Sequence, residues 1–243
     1  MNILITICAR GGSKGIPGKN IKPINGIPLI GYSIKTALQF SEKVSKADIA
    51  LSTDSAEIKQ VASRFGLNTD YVRPAILSSD TAGKIGAIVD IKNNRETITN
   101  KKYDYVIDLD VTSPMRSVAD IESSLNMMKD NKDAYNLFSV SPAQRNPYFN
   151  MVEKKGQSGY YNVVKDLGSS LTHRQAAPVV YDMNASFYIY SNEFFQMNLN
   201  SAITDKSLVY VVPHLCFDVD HPIDFEFMEF LIMNNKLDFK IDE

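Results

Sequence analysis

The chain has 243 residues, 44% apolar and 22% charged, enough to bury a real core in one α/β domain. Lys+Arg 26 against Asp+Glu 28 leaves a net charge of −2, which argues against a general nucleic-acid binder with its basic excess. Two cysteines make no disulfide framework, no apolar run approaches the roughly twenty residues of a membrane span, and the N-terminus reads as a strand and not a leader; a cytoplasmic protein with no membrane or nucleic-acid partner is expected.

Met1–Ala9 reads as a buried strand, since ILITI is apolar and β-branched throughout. ARGGSKGIPGKN, Ala9–Asn20, follows it and sets four glycines among Arg10, Lys14 and Lys19. IPLIGYSIKTALQF (27–40) has helical apolar spacing, and DIALSTD (48–54) is a second strand ending in polar residues. SAEIKQVASRFG is a helix with Thr53 or Asp54 as its N-cap and Gly66 as its C-cap. TAGKIGAIVDIKNNRE is helical, YDYVIDLD is a third strand ending in carboxylates, SVADIESSLNMMKDN is a helix opened by Ser117, and DAYNLFSVS is a fourth strand. The rhythm changes after Pro142: 141–182 is polar, aromatic and rich in turn residues, which suggests a hairpin or arm. NASFYIY and LVYVVP are further strands, and FDVDHPIDFEFMEFLIMNN is a strand end, a turn at His221–Pro222 and a final helix.

Strands alternating with helices imply right-handed βαβ units in a mostly parallel sheet. Ligands bind such sheets beyond the carboxyl ends of the strands, where ARGGSKG, STDS, DVTSPMR and SVSP meet. A glycine-rich turn after a strand can cradle an anion with backbone N–H groups, and the cations of this loop suit a triphosphate. GSKGIPGKN is not a Walker A loop, because Asn20 follows Lys19, and GxGxxG is absent. Asp218 and Asp220 lie two apart in a strand reading, so both carboxylates point one way, as a Mg²⁺ site needs. Asp224 reads as the cap of the final helix. Cys8, Cys216, His173, His214 and His221 have neither metal-ligand spacing nor a catalytic setting.

ARGGSKGIPGKNI, LSTDS, RPAILSSDTAG, DVTSPMR, HRQAAPVVYDMNASFYIY and FDVDHPIDF, in that order, resemble the motifs of the acylneuraminate cytidylyltransferases, the CMP-sialic acid synthetase family. The resemblance spans nearly the whole chain. It implies a Rossmann-like nucleotidyltransferase fold, one domain over 1–243, with 141–182 as an inserted β-rich dimerisation arm of a homodimer. It also implies Mg²⁺-dependent attack of the anomeric hydroxyl of a nine-carbon 2-keto sugar acid on the α-phosphate of CTP, releasing pyrophosphate. By resemblance, Arg10 and Lys19 hold the triphosphate, within a cradle of Ala9, Gly11, Gly12, Ser13 and Lys14. Asn20 and Arg73 read the cytosine, and Asp218 and Asp220 bind metal, Asp220 being catalytic with Arg10 and Lys19. Arg174 and Gln175 are placed for the sugar's carboxylate and polar tail, and Tyr188 walls the sugar pocket.

Two departures bear on the substrate. Asp110 stands where many members carry Gln, so it either accepts from a hydroxyl or N-acyl N–H of a different sugar or joins the metal shell, which tilts the reading toward legionaminic acid. Lys84 replaces a small hydroxyl residue and either touches ribose or phosphate or sits on an exposed helix turn. The sugar expected is legionaminic or N-acetylneuraminic acid, and pseudaminic or 3-deoxy-octulosonic acid is the alternative substrate. A non-catalytic nucleotide-sugar-binding module is the alternative class, and the presence together of Arg10, Lys19, Asp218 and Asp220 argues against it.

Overall fold

The computed structural model describes residues 1–12, 15–44, 46–157, 159–168 and 172–241. In β1 (Ile3–Cys8), strand alternation sends Ile3, Ile5 and Ile7 to one face and Leu4 and Cys8 to the other; both faces are covered, as a central parallel strand requires. After the glycine loop, Pro23–Ile24 (β2) and Ile27–Pro28 (β3) pair as a small antiparallel hairpin. Asn25 and Gly26 turn it, at φ 48° and 75°, the conformation that an Asn-Gly turn favours. The first helix therefore starts two residues later than its periodicity predicts, as α1 (Leu29–Lys43).

β4 (Asp48–Ser52) leads to α2 (Ala56–Arg64), whose cap is Ser55: its hydroxyl accepts from the Ile58 N–H at 3.3 Å. This corrects the expected Thr53 or Asp54 cap, and the reason is competition. Asp54 Oδ1 accepts instead from the Gly11 N–H at 2.8 Å, and Thr53 Oγ1 from the Ser55 N–H at 3.2 Å. Gly66, at φ 85°, follows the end of α2 and lets the Leu67 N–H turn back to the Ala62 carbonyl.

Next come α3 (Lys84–Thr99), β5 (Tyr105–Leu109) and α4 (Val118–Asp130), the last opened by a reciprocal Ser117–Asp120 capping box. β6 (Asn136–Pro142) precedes the 141–182 segment. There, β7 (Val152–Lys154) and β8 (Tyr161–Val163) form a separate antiparallel hairpin that exposes Val152, Tyr160 and Tyr161. β9 (Tyr181–Ser191), α5 (Asn192–Gln196), β10 (Ser207–Val211) and α6 (Pro222–Met233) complete the chain.

The main sheet has the order β10-β6-β9-β5-β1-β4. Five strands run one way and β9 runs against its neighbours β5 and β6. Side chains of α1, α2, α4 and α6 join Ile5, Ile107 and Ile189 in the larger core on one face, while Ile88 and Ile91 of α3 and Phe194 of α5 cover Leu4, Val106 and Tyr190 on the other. No helix among the described residues is long and apolar enough to cross a membrane. One expectation fails here: residues 215–220 join no sheet; Cys216 and Val219 are buried in the larger core, and the Val219 N–H donates to the Thr112 carbonyl at 2.7 Å.

Asp120 anchors that C-terminal passage. Its Oδ2 accepts from Ser117 and lies 2.9 Å from His214 Nε2, and Tyr210 donates to Oδ1 at 3.0 Å. His214 stacks on Phe239 with ring centroids 3.7 Å apart. Burial works against the imidazolium, yet Asp120 and the Leu215 carbonyl outweigh it and raise the His214 pKa; burial works against the Asp120 carboxylate too, but His214 and Ser117 lower its pKa. A raised histidine pKa stabilises the fold fully below the unfolded value of about 6.5 and is lost as pH rises through the folded one; the lowered Asp120 contributes above about 3.9. His214→Gln is therefore expected to lower the urea midpoint most near about pH 5.5. The gap to the parent narrows toward about pH 8.5, without closing, since neutral imidazole still stacks. A gap independent of pH counts against the charged pair.

Candidate active site

The carboxyl ends of β1, β4 and β5 open into a cavity of about 420 Å³. Its first wall is the glycine loop, tied down at several points. The Ala9 N–H donates to the Ser52 carbonyl at 2.9 Å, Gly11 to Asp54, and the buried Asn20 amide donates to the Arg10 carbonyl at 2.9 Å. The chain passes close to its neighbours here: a Cβ on Gly11 would lie 3.1 Å from Ser55 Cβ, and one on Gly15 would lie 3.3 Å from the Asp220 carbonyl oxygen. Gly18, at φ 65°, turns the chain into the short 3-10 turn Lys19–Ile21, which points Lys19 and Asn20 at the cavity. Gly12 is exposed, and Ser13 and Lys14 lie outside the described residues.

The second wall is the segment from Arg73 to Lys84. Arg73 is buried, and its guanidinium donates to the Ser52 hydroxyl at 2.9 Å and to the Ser52 carbonyl at 2.6 Å, holding it flat against the end of β4. Arg10 reaches across to this segment, with Nη1 3.0 Å from Asp80 Oδ1 and 3.4 Å from the Ser78 carbonyl.

The floor is ionic. Lys84 Nζ lies 2.7 Å from Asp108 Oδ2, 2.5 Å from Asp110 Oδ2 and 5.4 Å from the centre of the Tyr188 ring. Asp108 is fully buried, faces Tyr188 in the β5–β9 register, and accepts from the Thr6 hydroxyl at 2.8 Å. The exposed helix turn expected as one option for Lys84 is corrected: a buried carboxylate needs a cation, and the first turn of α3 supplies it. Burial disfavours the Lys84 charge, but Asp108 and Asp110 outweigh it and raise its pKa; burial likewise opposes the Asp110 carboxylate, but Lys84 and the Thr112 N–H and hydroxyl hold its pKa down. Both Asp110 oxygens have partners within the chain. Cys8, beside this cluster, is pushed up to about 12 by burial first and then Asp108, which disfavours the thiolate.

At the mouth, Lys19 Nζ lies 2.8 Å from Asp220 Oδ1. Burial first, then the like charges of Asp110 and Asp220, raise the Asp218 pKa, and Asp218 Oδ1 is buried without a hydrogen-bond partner. Asp224 accepts from the Asp220 and His221 N–H groups at 2.9 and 2.6 Å and caps α6.

Arg174 and Gln175 do not line this cavity. They border a separate hollow of about 360 Å³ with Ala143 and Asn146, where Arg174 donates to the Ala143 carbonyl at 2.6 Å. Tyr188 meets the cavity floor through Lys84, whereas Phe187 lies wholly in the opposite core. Residues with no role assigned from sequence prove structurally central. Buried Arg116 donates to the carbonyls of Asp110, Ser113 and Ser186 and so shapes the loop after β5. Asp80 and Asp108 are the partners of Arg10 and Lys84. Their motifs are plain in the sequence, but pairings across 70 residues, as for Arg10 and Asp80, or 24, as for Lys84 and Asp108, leave no periodic trace.

Residues 4–211 match the cytidylyltransferase family model, and the chain belongs to that family. It is 42% identical over 238 residues to the post-translational flagellin modification protein B of Campylobacter coli, covering 98% of each chain. It is 39% identical over 230 residues to the CMP-N,N'-diacetyllegionaminic acid synthase of Campylobacter jejuni, covering 95% of this chain and 94% of that one. Among solved structures, CMP:2-keto-3-deoxy-manno-octonic acid synthetase complexed with CTP is similar in fold, with a TM-score of 0.67 at 18% identity, covering 97% of this chain and 100% of that one.

Lys84→Met leaves Asp108 buried without its cation and is expected to cost about 3–5 kcal/mol of stability in urea unfolding. Asp110→Asn, which keeps Lys84 on Asp108, should cost less than half as much. Equal losses would argue that Asp108 is not what Lys84 neutralises.

Proposed function

We propose that the chain joins CTP to a nonulosonic acid, forming the CMP-sugar and pyrophosphate. The observation that carries this is the cavity at the ends of β1, β4 and β5, lined by Arg10, Lys19, Arg73, Lys84, Asp80 and Asp110, in a chain 39% identical to a CMP-N,N'-diacetyllegionaminic acid synthase. The sugar's anomeric oxygen forms a bond to the α-phosphorus, the bond from that phosphorus to the bridging oxygen of the β-phosphate breaks, and the hydroxyl proton passes to solvent. The barrier is chiefly the approach of one anion to another, which positioning and fixed charge lower. Arg10 and Lys19 neutralise the leaving pyrophosphate, and Asn20 and Arg73 present donors and acceptors to the base.

Asp218 and Asp220 would hold Mg²⁺. The orphaned, buried Asp218 Oδ1 fits a cation, and among the described residues no group of three or more acidic, His or Cys side chains makes a ready cage, as suits a metal completed by phosphate oxygens. The metal would neutralise phosphate charge. The sugar we favour is a diacetylated legionaminic acid, with Asp110 and Lys84 acting as one ionic unit at the cavity floor. The exposed Val152, Tyr160 and Tyr161 of the β7–β8 hairpin support an arm that pairs two chains, with Arg174 and Gln175 at its base.

Pyrophosphate release with CTP and Mg²⁺ over legionaminic, pseudaminic, N-acetylneuraminic and 3-deoxy-octulosonic acids tests the reading. Release is expected with diacetyllegionaminic acid and at most weakly with the others. Arg10→Ala and Asp220→Asn should each lower kcat/KM by about 10²-fold with unchanged circular dichroism. Preference for pseudaminic acid would keep the reaction and move the sugar; no release with any of the four would remove the reading.

A further inference from the structure

Among the described residues, each cation lining the cavity is already engaged. Lys84 is held by Asp108 and Asp110, Arg73 by Ser52, Lys19 by Asp220 and Arg10 by Asp80. A polyphosphate entering such a cavity must take donors away from existing acceptors. The four arrangements differ in how readily they yield. Asp108 is fully buried on a central strand and cannot retreat, and Arg73 is fixed by two bonds to one residue of β4. Asp80 is different. The Asp80 side chain is 47% exposed, and it stands in the 75–83 segment between α2 and α3, which carries only a single 3-10 turn, Ala75–Leu77. Arg10 itself is only one-third exposed, so it stays at the cavity while Asp80 has water to swing into.

We propose that Asp80 is an exchangeable counter-ion for Arg10: it holds the guanidinium aimed into the cavity when no polyphosphate is present, and yields it when the β- and γ-phosphates arrive. The proposal rests on the nucleotide reading above. The closed pair, with the Ser78 carbonyl, keeps the arginine in one rotamer, while the carboxylate competes with, and repels, incoming phosphate. On release, re-formation of the Arg10–Asp80 pair opposes retention of pyrophosphate. Asp80 is a positioning residue: it acts through Arg10 and does not touch the reacting atoms.

Calorimetric titration of the full chain with CTP, inorganic pyrophosphate and CMP, in the parent, Asp80→Asn and Asp80→Glu, tests this. Asp80→Asn should tighten CTP and pyrophosphate by about three- to fivefold at low salt, the scale of one half-exposed ion pair. CMP, which lacks the β- and γ-phosphates, should stay within about twofold. Asp80→Glu keeps the charge and should restore the parent's affinities. The gain should shrink at about 0.5 M salt, where the Debye length falls below about 5 Å. In an Arg10→Ala background, Asp80→Asn should have at most half its effect on pyrophosphate. Unchanged CTP affinity in Asp80→Asn, or equal tightening of CMP, would overturn the counter-ion role while leaving the nucleotide reading intact. A parent chain that binds neither CTP nor pyrophosphate would overturn both.

Discussion

A carboxylate that is fully buried at the end of a central strand must find a cation, and in this chain the rest of the site follows from how Asp108 finds one. Lys84, the first residue of α3, reaches down to it, and Thr6 of β1 satisfies its other oxygen. One ion cluster thereby joins β1, β5 and the start of α3. It sets where the 75–83 segment must pass, and so where the second wall of the cavity stands. Loss of Lys84 would leave Asp108 as an uncompensated buried charge, among the most costly defects in a protein interior, whereas loss of Thr6 would remove one hydrogen bond only.

The same logic repeats outward with decreasing burial. Asp110 is half-buried and shares Lys84, Asp80 is half-exposed and holds Arg10, and Asp220 at the mouth is mostly exposed and meets Lys19. Ion pairs near solvent contribute little to stability. Their arrangement gives a cavity whose outer charges stand in contact with water while its inner ones are buried. A site that must bind a highly charged substrate and then release a highly charged product benefits from this gradient.

The β9 strand gives the chain its second distinctive feature. Running against β5 and β6, it brings the 141–182 segment back to the edge of the sheet where the loops gather. Buried Arg116 bonds to the β9 carbonyl of Ser186 and to the Asp110 carbonyl, so the antiparallel strand and the loop after β5 hold their places together. Burial lowers the Arg116 pKa to about 10, and it stays charged at neutral pH.

Much of the fold was legible in the order of residues. The β-branched runs, the apolar periodicity, Ser117, Gly66 and Pro222 locate strands and helices, because each acts over a few neighbouring positions. The cytidylyltransferase motifs were legible too, because a loop that cradles phosphate needs glycines and cations in a fixed local spacing. The misses are of another kind. Asp54 left the α2 cap to hold Gly11, the Asn25–Gly26 turn delayed α1, and residues 215–220 stayed outside the sheet. Lys84 turned from the solvent reading toward Asp108, and Arg174 and Gln175 bordered a different hollow. In most of these the deciding partner lies far off in sequence, and competition for that partner is settled only when the strands pair and bring both groups to one edge. The sequence by itself determined the fold class and the family; which carboxylate neutralises which cation was decided by tertiary structure, because charge pairing depends on distance in space and not on spacing along the chain.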